Sequence, residues 1–385
     1  MTELERNALL PAGLRDVLPN DAAFEAEIVE RLVAFLTARG YDRVKPPLIE
    51  FEDGLLSGAG VAVAPQTFRL MDPVSQRMMG LRADITPQIA RIAGSRLAQT
   101  PRPLRLSYAG DVLRVRGSQL RPERQIVQVG AELIGSAAPT ADAEIIVMAI
   151  DAIAELGVVG LSVDLTVPRL VPSIISQFEL PEKDLAGLRA ALDRKDAGSV
   201  GTQAGPAAVT LCALLSATGP VDEALGKMDE IDLPDQAAAE RARVAEVVDL
   251  VRHLSPDITL TLDPVEHRGF EYHTGIGFTV FATGASSELA TGGRYRTRHR
   301  EMEDGEGERA TGVTLYVDAI LSLLPQAGAQ RRLLVSHDSA PSALAALRKK
   351  GWITVMALEP VKQLAAEAKR LGCSHFLAET GPEAI

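Results

Sequence analysis

The sequence predicts an α+β fold, and three observations carry the prediction. Segments with helical and strand-like periodicity alternate over the first part of the chain without any internal repeat. The stretch from Pro168 to Pro256 turns almost wholly helical in character, rich in Ala, Leu and charge. After Arg331 a short alternation of strand and helix signals marks a small α/β unit with a parallel sheet. The chain's 385 residues suffice for two or three domains. The shifts in character divide it into a first core part at 1–167, a helical insertion at 168–256, a second core part at 257–326 and a small C-terminal domain at 331–385.

Along the chain, Pro11-Ala12-Gly13 reads as a turn. Asn20 or Asp21 is placed to cap a helix whose apolar face is Ile28, Leu32, Phe35 and Leu36, and Gly40 ends it. Tyr41 to Glu50 has strand character broken by Pro46 and Pro47. Thr86-Pro87 predicts a second helix start, with the threonine hydroxyl as cap and the proline at the first helical position; Ile89, Ile92, Ala93 and Leu97 supply its apolar face. Residues 104–116 and 124–135 predict two strands around a polar turn. Thr140 opens a helix with Ile145, Met148, Ala149 and Ala152 on one face, and Leu161 to Val167 alternates like a half-buried strand. Strand signals return at Ile258–Leu262 and Gly277–Phe281. Glu301 to Glu308 predicts a mobile acidic loop, and a helix is expected over Val317–Leu324. In the C-terminal unit, strands are expected at Leu333–Ser336, Ile353–Ala357 and His375–Ala378, with helices at Ala340–Lys350 and Val361–Leu371.

Composition narrows the function. Hydrophobic residues make up 46% and charged residues 24%, as in an ordinary globular protein, and with aromatics at 4% the core must rest on Leu, Val, Ile and Ala. A net charge of -11 without a long Lys/Arg run argues against extensive binding to a phosphate backbone, although arginines do cluster between Arg102 and Arg124. Cys212 and Cys373 make neither a disulfide framework nor a zinc spacing, and read as free thiols of a reducing compartment. The six histidines lack a His-Glu-x-x-His pattern, no phosphate loop occurs, and no metal or cofactor is expected. His267, His299, His337 and His375 read as surface or packing residues. No apolar run reaches membrane-spanning length and Met1 to Leu10 has no signal-peptide core, so a cytoplasmic location is expected.

Several segments, in order, are similar to the histidyl-tRNA synthetase family over roughly residues 11–324. They are Pro11-Ala12-Gly13 with Asp16 and Pro19, then Pro46-Pro47-x-x-Glu50 (motif 1), then Leu81-Arg82-Ala83-Asp84-Ile85-Thr86. Leu113-Arg114 followed by Gln125, Gln128, Gly130 and Glu132 resembles motif 2. His267-Arg268-Gly269-Phe270-Glu271-Tyr272-His273 resembles the histidine-specific segment, and Thr291-Gly292-Gly293-Arg294-Tyr295 a glycine-containing turn. The resemblance implies a class II aminoacyl-tRNA synthetase core, an antiparallel sheet flanked by helices, with the tail after Arg331 as a reduced remnant of the anticodon-binding domain.

What the resemblance implies for function turns on an asymmetry. On the amino-acid side, Asp84, Thr86 and Gln128 would take a ligand ammonium, and Asp84 is one methylene shorter than the family's Glu. Glu132 would accept a hydrogen bond from an imidazole, Arg268 with Arg114 would face the carboxylate, and Tyr272 and His273 would line the ring pocket, His273 replacing a family Tyr. On the nucleotide side, Ala319 stands where motif 3 carries the Arg that grips ATP phosphates, and Arg116 reverses the charge of the motif 2 Glu. Adenylation needs such preorganised charge. The resemblance therefore implies a non-catalytic paralogue that binds L-histidine as an effector, regulates a short-form ATP phosphoribosyltransferase catalytic subunit, forms a homodimer within a hetero-oligomer, and binds no tRNA and no membrane. The alternatives are an atypical histidyl-tRNA synthetase and a stand-alone histidine sensor. Residue by residue, bland readings stay open: Arg114 and Arg268 as structural ion-pair residues, Glu132 as a solvent-facing strand residue, Asp84 as a carboxylate near a helix start, and Gly292 and Gly293 as backbone-geometry residues.

Overall fold

The computed structural model describes residues 9–56, 60–117, 121–178, 182–266, 273–297, 307–325 and 330–385. Helix α1 (Pro19–Ala38) starts one residue before the expected caps: Leu18 is the N-cap, without a side-chain bond, and Pro19 takes the first position. Asp21 lies in the first turn, where its charge suits the positive end of the helix. Ile28, Leu32, Val33, Phe35 and Leu36 are buried, as their spacing requires. Gly40 then adopts φ +82°, a left-handed turn that ends the helix cheaply only for glycine. The two prolines split the next strand in two: β1 (Asp42–Arg43) and β2 (Ile49–Phe51) belong to different sheets. With β3 (Arg69–Met71) and β4 (Met78–Leu81), β2 makes a three-stranded antiparallel sheet in the order β2-β4-β3.

Helix α2 (Thr86–Gly94) also corrects the reading of its cap. The N-cap is Ile85, and the Thr86 hydroxyl does not cap the helix. Asp84 Oδ1 instead accepts the Thr86 backbone N–H at 2.9 Å, so the threonine hydroxyl is free to point elsewhere. Ile89, Ala90 and Ala93 turn inward.

The large sheet contains β5 (Leu104–Leu113), β6 (Gln125–Ile134), β7 (Leu161–Thr166), β8 (Gly219–Pro220), β9 (Thr259–Asp263), β10 (His273–Ala282), β11 (Ala290–Thr297) and β12 (Glu308–Tyr316) together with β1. Among the described residues its order is β1-β5-β6-β12-β11-β10-β7-β9-β8. The central pairings from β5 to β7 are antiparallel, while β1 joins β5 and β9 joins β7 in parallel. Helix α3 (Pro139–Ala154) packs on one face with Ile145, Met148, Ala149 and Ala152 buried. Glu308, expected in a mobile loop, is the first residue of β12 and 3% exposed, because Arg102 Nε meets its carboxylate at 2.6 Å. Residues 301–306 of that segment lie outside the described residues.

The helical stretch holds α4 (Leu170–Gln177), α5 (Glu182–Asp193), α6 (Ala197–Gln203), α7 (Ala208–Ser216), α8 (Val221–Asp229) and α9 (Asp235–Leu254). Helix α9 lies against α3, and Val244, Val247, Val248 and Val251 join the same apolar cluster as the sheet. Residues Met1–Leu324 accordingly form one compact unit, whose last elements along the chain are β12 and the short helix α10 (Val317–Leu321).

The second unit, Pro325–Ile385, centres on β13 (Arg332–Val335) in a sheet ordered β14-β13-β15-β16. Strands β14 (Ile353–Met356) and β15 (His375–Ala378) pair with β13 in parallel, connected through α11 (Pro341–Lys349) and α12 (Leu364–Arg370). Leu333 and Val335 pack with Leu344 and Trp352 on one side, and Leu334 packs with Ala357, Ala368 and Cys373 on the other, the alternation of a strand buried on both faces. Strand β16 (Gly381–Ala384) was not legible in a Gly-Pro segment; it forms only as the antiparallel partner of β15. Both cysteines are free, and among the described residues no helix is long and apolar enough to cross a membrane and no His/Cys/Asp/Glu group could hold a metal ion.

Candidate functional site

Strand register builds the site. Tyr108 pairs with Gly130 and Gly130 with Thr314; Gly110 pairs with Gln128 and Gln128 with Tyr316; Glu132 pairs with Gly312. On β11, Thr291 and Gly293 face Thr314 and Gly312. Paired residues of antiparallel strands share a face, so Gln128, Glu132, Tyr108, Thr314, Tyr316 and Tyr295 all project to one side of the sheet. Glycines hollow out the middle of that face. A Cβ at Gly312 would lie 1.7 Å from Glu132 Oε2, and one at Gly293 would lie 2.5 Å from His273 Cδ2. At these positions glycine is needed for space under a neighbouring side chain.

The entry to α2 covers the hollow. Thr86 Oγ1 donates to Glu132 Oε1 at 2.8 Å, and the Tyr295 hydroxyl donates to Glu132 Oε2 at 2.9 Å. Tyr108 links Thr86 (3.2 Å) to Thr314 (2.8 Å) through its hydroxyl. Alongside, Gln128 Nε2 donates to Asp84 Oδ2 at 2.9 Å, and Gln128 Oε1 accepts the Ile85 N–H at 3.3 Å. Glu132, Gln128 and Tyr108 are each 0% exposed. Glu132 receives hydrogen bonds but meets no cation among the described residues, so burial pushes its carboxyl up to about 8, against the pull of Thr86 and Tyr295. Burial likewise pushes the Tyr108 hydroxyl well above its ordinary range.

When Glu132 is ionised, the Thr86 and Tyr295 hydroxyls must donate to it, while the Tyr108 proton can serve either Thr86 or Thr314. Thr86 spends its proton on Glu132 and Tyr108 can donate to Thr86, which leaves threonine lone-pair capacity for a donor from outside. Each Glu132 oxygen accepts one bond here, with a further lone pair free for a ligand N–H. Asp84 is in the same condition, since each of its oxygens accepts one donor, Thr86 N–H or Gln128 Nε2. The cluster therefore presents acceptors to a molecule rich in donors.

Among the residues read from the sequence, Asp84, Thr86, Gln128 and Glu132 come together in this one network. Glu132 is wholly buried, which removes the reading of a solvent-facing strand residue. His273 is buried at the start of β10, its ring over Gly293. Arg114 is half-buried just past β5, with Nε 3.5 Å from the Ala83 carbonyl. Arg268 and Tyr272 lie outside the described residues. Sequence reasoning missed Tyr108, Thr314 and Tyr295 as members of the network. Only Tyr295 carried a signal, as the residue after Gly292-Gly293-Arg294; Tyr108 and Thr314 are joined to it by register alone. Ala319 is buried on α10, and Arg116 is exposed.

The mostly antiparallel sheet with its hollowed, acceptor-lined face has the α+β architecture of the solved class II, histidyl-tRNA synthetase-like structures it superimposes on. A family model described as histidyl-tRNA synthetase matches residues 13–320. The chain is 53% identical to an ATP phosphoribosyltransferase regulatory subunit of Paramagnetospirillum magneticum, over 100% of this chain and 99% of that protein. It is 53% identical to the protein of the same name from Rhodospirillum centenum, over 96% of this chain and 95% of that one. Among solved structures, an ATP phosphoribosyltransferase regulatory subunit/histidyl-tRNA synthetase from Bacillus halodurans superimposes with a TM-score of 0.77 at 23% identity, covering 94% of this chain and 96% of that chain. A histidyl-tRNA synthetase from a Nostoc species gives 0.76 at 16% identity, covering 97% and 91%. The chain belongs to the histidyl-tRNA synthetase family, in the branch whose curated members are named ATP phosphoribosyltransferase regulatory subunit.

Proposed function

We propose that this chain serves as the regulatory subunit of ATP phosphoribosyltransferase in the first step of histidine biosynthesis, holding free L-histidine and passing its feedback inhibition to a short-form catalytic subunit. It does so as a cytoplasmic protein, a homodimer within a hetero-oligomer, and it catalyses neither aminoacylation nor another reaction itself. The observation that carries this reading is the buried Glu132, ringed by hydroxyl donors, beside the Asp84–Gln128 pair. An amino acid with an imidazole supplies the donors these acceptors need: ammonium to Asp84, Thr86 and Gln128 Oε1, and ring N–H to Glu132. Arg114 and Arg268 complement the carboxylate, and Tyr272 and His273 border the ring. A pocket that hydrogen-bonds a polar side chain rejects apolar analogues strongly.

The relatives' names support the choice of partner, and the nucleotide side supports the absence of catalysis. Ala319 and Arg116 offer none of the contacts a synthetase makes to ATP there, and one such donor typically contributes about 3 kcal/mol to a transition state. Coupling to the partner of about 1–3 kcal/mol is reciprocal, so ligands of the catalytic subunit shift histidine affinity by the same factor. The test is to co-express the chain with a short-form catalytic subunit and titrate activity with L-histidine. Inhibition that disappears in Glu132→Gln is the expected result. Histidine-dependent ATP–pyrophosphate exchange by the chain alone would overturn the reading.

A further inference from the structure

Next to the amino-acid network, the chain's own side chains fill the space at the end of β12. Tyr316, the last residue of β12, pairs with Gln128 and is 7% exposed. Its hydroxyl is joined to Thr291 Oγ1 at 2.8 Å. Over its ring lies the Arg121 guanidinium, with Cζ 3.7 Å from the centroid and the residue 5% exposed. Arg121 Nη2 donates to the Glu288 carbonyl and stands 3.5 Å from the Glu288 carboxylate. The filler is thus held from three places: the lead-in to β6 (Arg121), the turn before β11 (Glu288) and the end of β12 (Tyr316). Tyr316 N donates to the Leu289 carbonyl at 2.8 Å, which fixes Glu288's neighbour to the same strand end. The buried guanidinium is stacked on an aromatic face and neutralised by the half-exposed Glu288 carboxylate beside it.

We infer that Arg121 and Tyr316 are specificity-determining residues that close the cleft beyond Gln128, so that the site takes a free amino acid and excludes one whose carboxyl group bears a bulky planar substituent. The inference rests on the proposed function, which assigns the ligand's ammonium to Asp84, Thr86 and Gln128 and its carboxylate to Arg114 and Arg268. Arg114, which faces the carboxylate in that reading, bonds through its N–H to the Arg124 carbonyl at the lead-in to β6, and Tyr316 pairs with Gln128, so a carboxyl-linked group would extend toward the Arg121–Tyr316 stack. Exclusion by occupied volume discriminates against the larger ligand without a new attractive contact.

The experiment is isothermal titration calorimetry on the full chain with L-histidine, L-histidinamide and L-histidine β-naphthylamide. The two amides lack the same carboxylate charge and differ in bulk, so their affinity ratio isolates the space beyond Gln128. The wild-type chain should favour histidinamide by about 10–100-fold, the discrimination that a misfit group in a pocket gives. Arg121→Ala should cut that ratio by about tenfold while histidine affinity changes by less than about threefold. Glu288→Ala, which releases Arg121 but leaves both stacked groups in place, should give an intermediate ratio, and Tyr316→Phe should keep the wild-type ratio. If the wild-type chain binds histidine but takes both amides alike, or if Arg121→Ala and Glu288→Ala leave the ratio unchanged, the inference is overturned and the proposed function survives. If the wild-type chain binds neither histidine nor histidinamide, both fall together.

Discussion

Two buried carboxylates sit on opposite faces of the same strands, and they have been treated differently. Glu132 lies on the hollow face, against Gly312 and Tyr295, and among the described residues receives hydroxyl donors, Thr86 and Tyr295. Asp142, on α3, lies on the other face against the residues immediately before these two, Thr311 and Arg294. Arg294 Nε meets both Asp142 oxygens at 3.0 Å, its Nη1 and Nη2 donate to the carbonyls of Ser136 and Ala138 at 2.8 and 2.9 Å, and Arg243 approaches at 3.4 Å. Both carboxylates are 0% exposed. Asp142 is saturated by a planar cation whose remaining donors are spent on backbone, and this is a device for locking α3 to β11. Glu132 keeps unspent lone pairs and a raised proton affinity. The contrast separates the two roles: the paired carboxylate belongs to the scaffold, and the one with unspent lone pairs is the one proposed to meet a ligand.

The largest effect should come from breaking the scaffold pair. Asp142→Ala leaves the Arg294 guanidinium buried without its counter-charge and should cost about 3–5 kcal/mol of stability in urea unfolding. A loss below 1 kcal/mol would erase the distinction between the two sites.

Glu132→Gln should do the reverse. Stability near neutral pH should hold, while histidine binding weakens by about 1.5–3 kcal/mol in calorimetry, the range for a hydrogen bond to a charged group. The same variant sharpens the comparison through pH. The folded chain keeps the Glu132 proton up to about 8, against 4.5 for an ordinary glutamate, so over that window it holds more protons than the unfolded chain. The stability Glu132 contributes is present at and below pH 4.5 and is lost as the pH rises through 8. Unfolding free energies of wild type and Glu132→Gln should therefore diverge in slope across this window, and identical slopes would contradict a raised Glu132.

Tyr295→Phe removes one of the two donors to Glu132 and should weaken histidine binding by about 1 kcal/mol, with the carboxyl pushed further up. The smallest effect is proton release. A ligand N–H at Glu132 favours the ionised form, so histidine binding near pH 7.5 should liberate a fraction of a proton. Calorimetric heats in buffers of different ionisation enthalpy measure it, and proton uptake would reverse the assigned role.

Periodicity, turn residues and motif order, all properties of neighbouring residues, determined the α+β class, the helical stretch, the strands flanking the hollow and the segments bearing Asp84, Thr86, Gln128 and Glu132. Tertiary structure alone decided how those segments meet. Strand register brought Tyr108, Thr314 and Tyr295 to Glu132 from three other strands, turned the Thr86 hydroxyl from an expected helix cap into a donor to a carboxylate, and buried Glu308 against Arg102. It also stacked Arg121 on Tyr316 across a long sequence gap, and made β16 from a segment with no strand pattern of its own. The reason is physical. A side chain's periodicity states which face it takes, but its partner across the sheet is set by pairing, and burial, which raises the proton affinity of Glu132, exists only once the layers have closed over it.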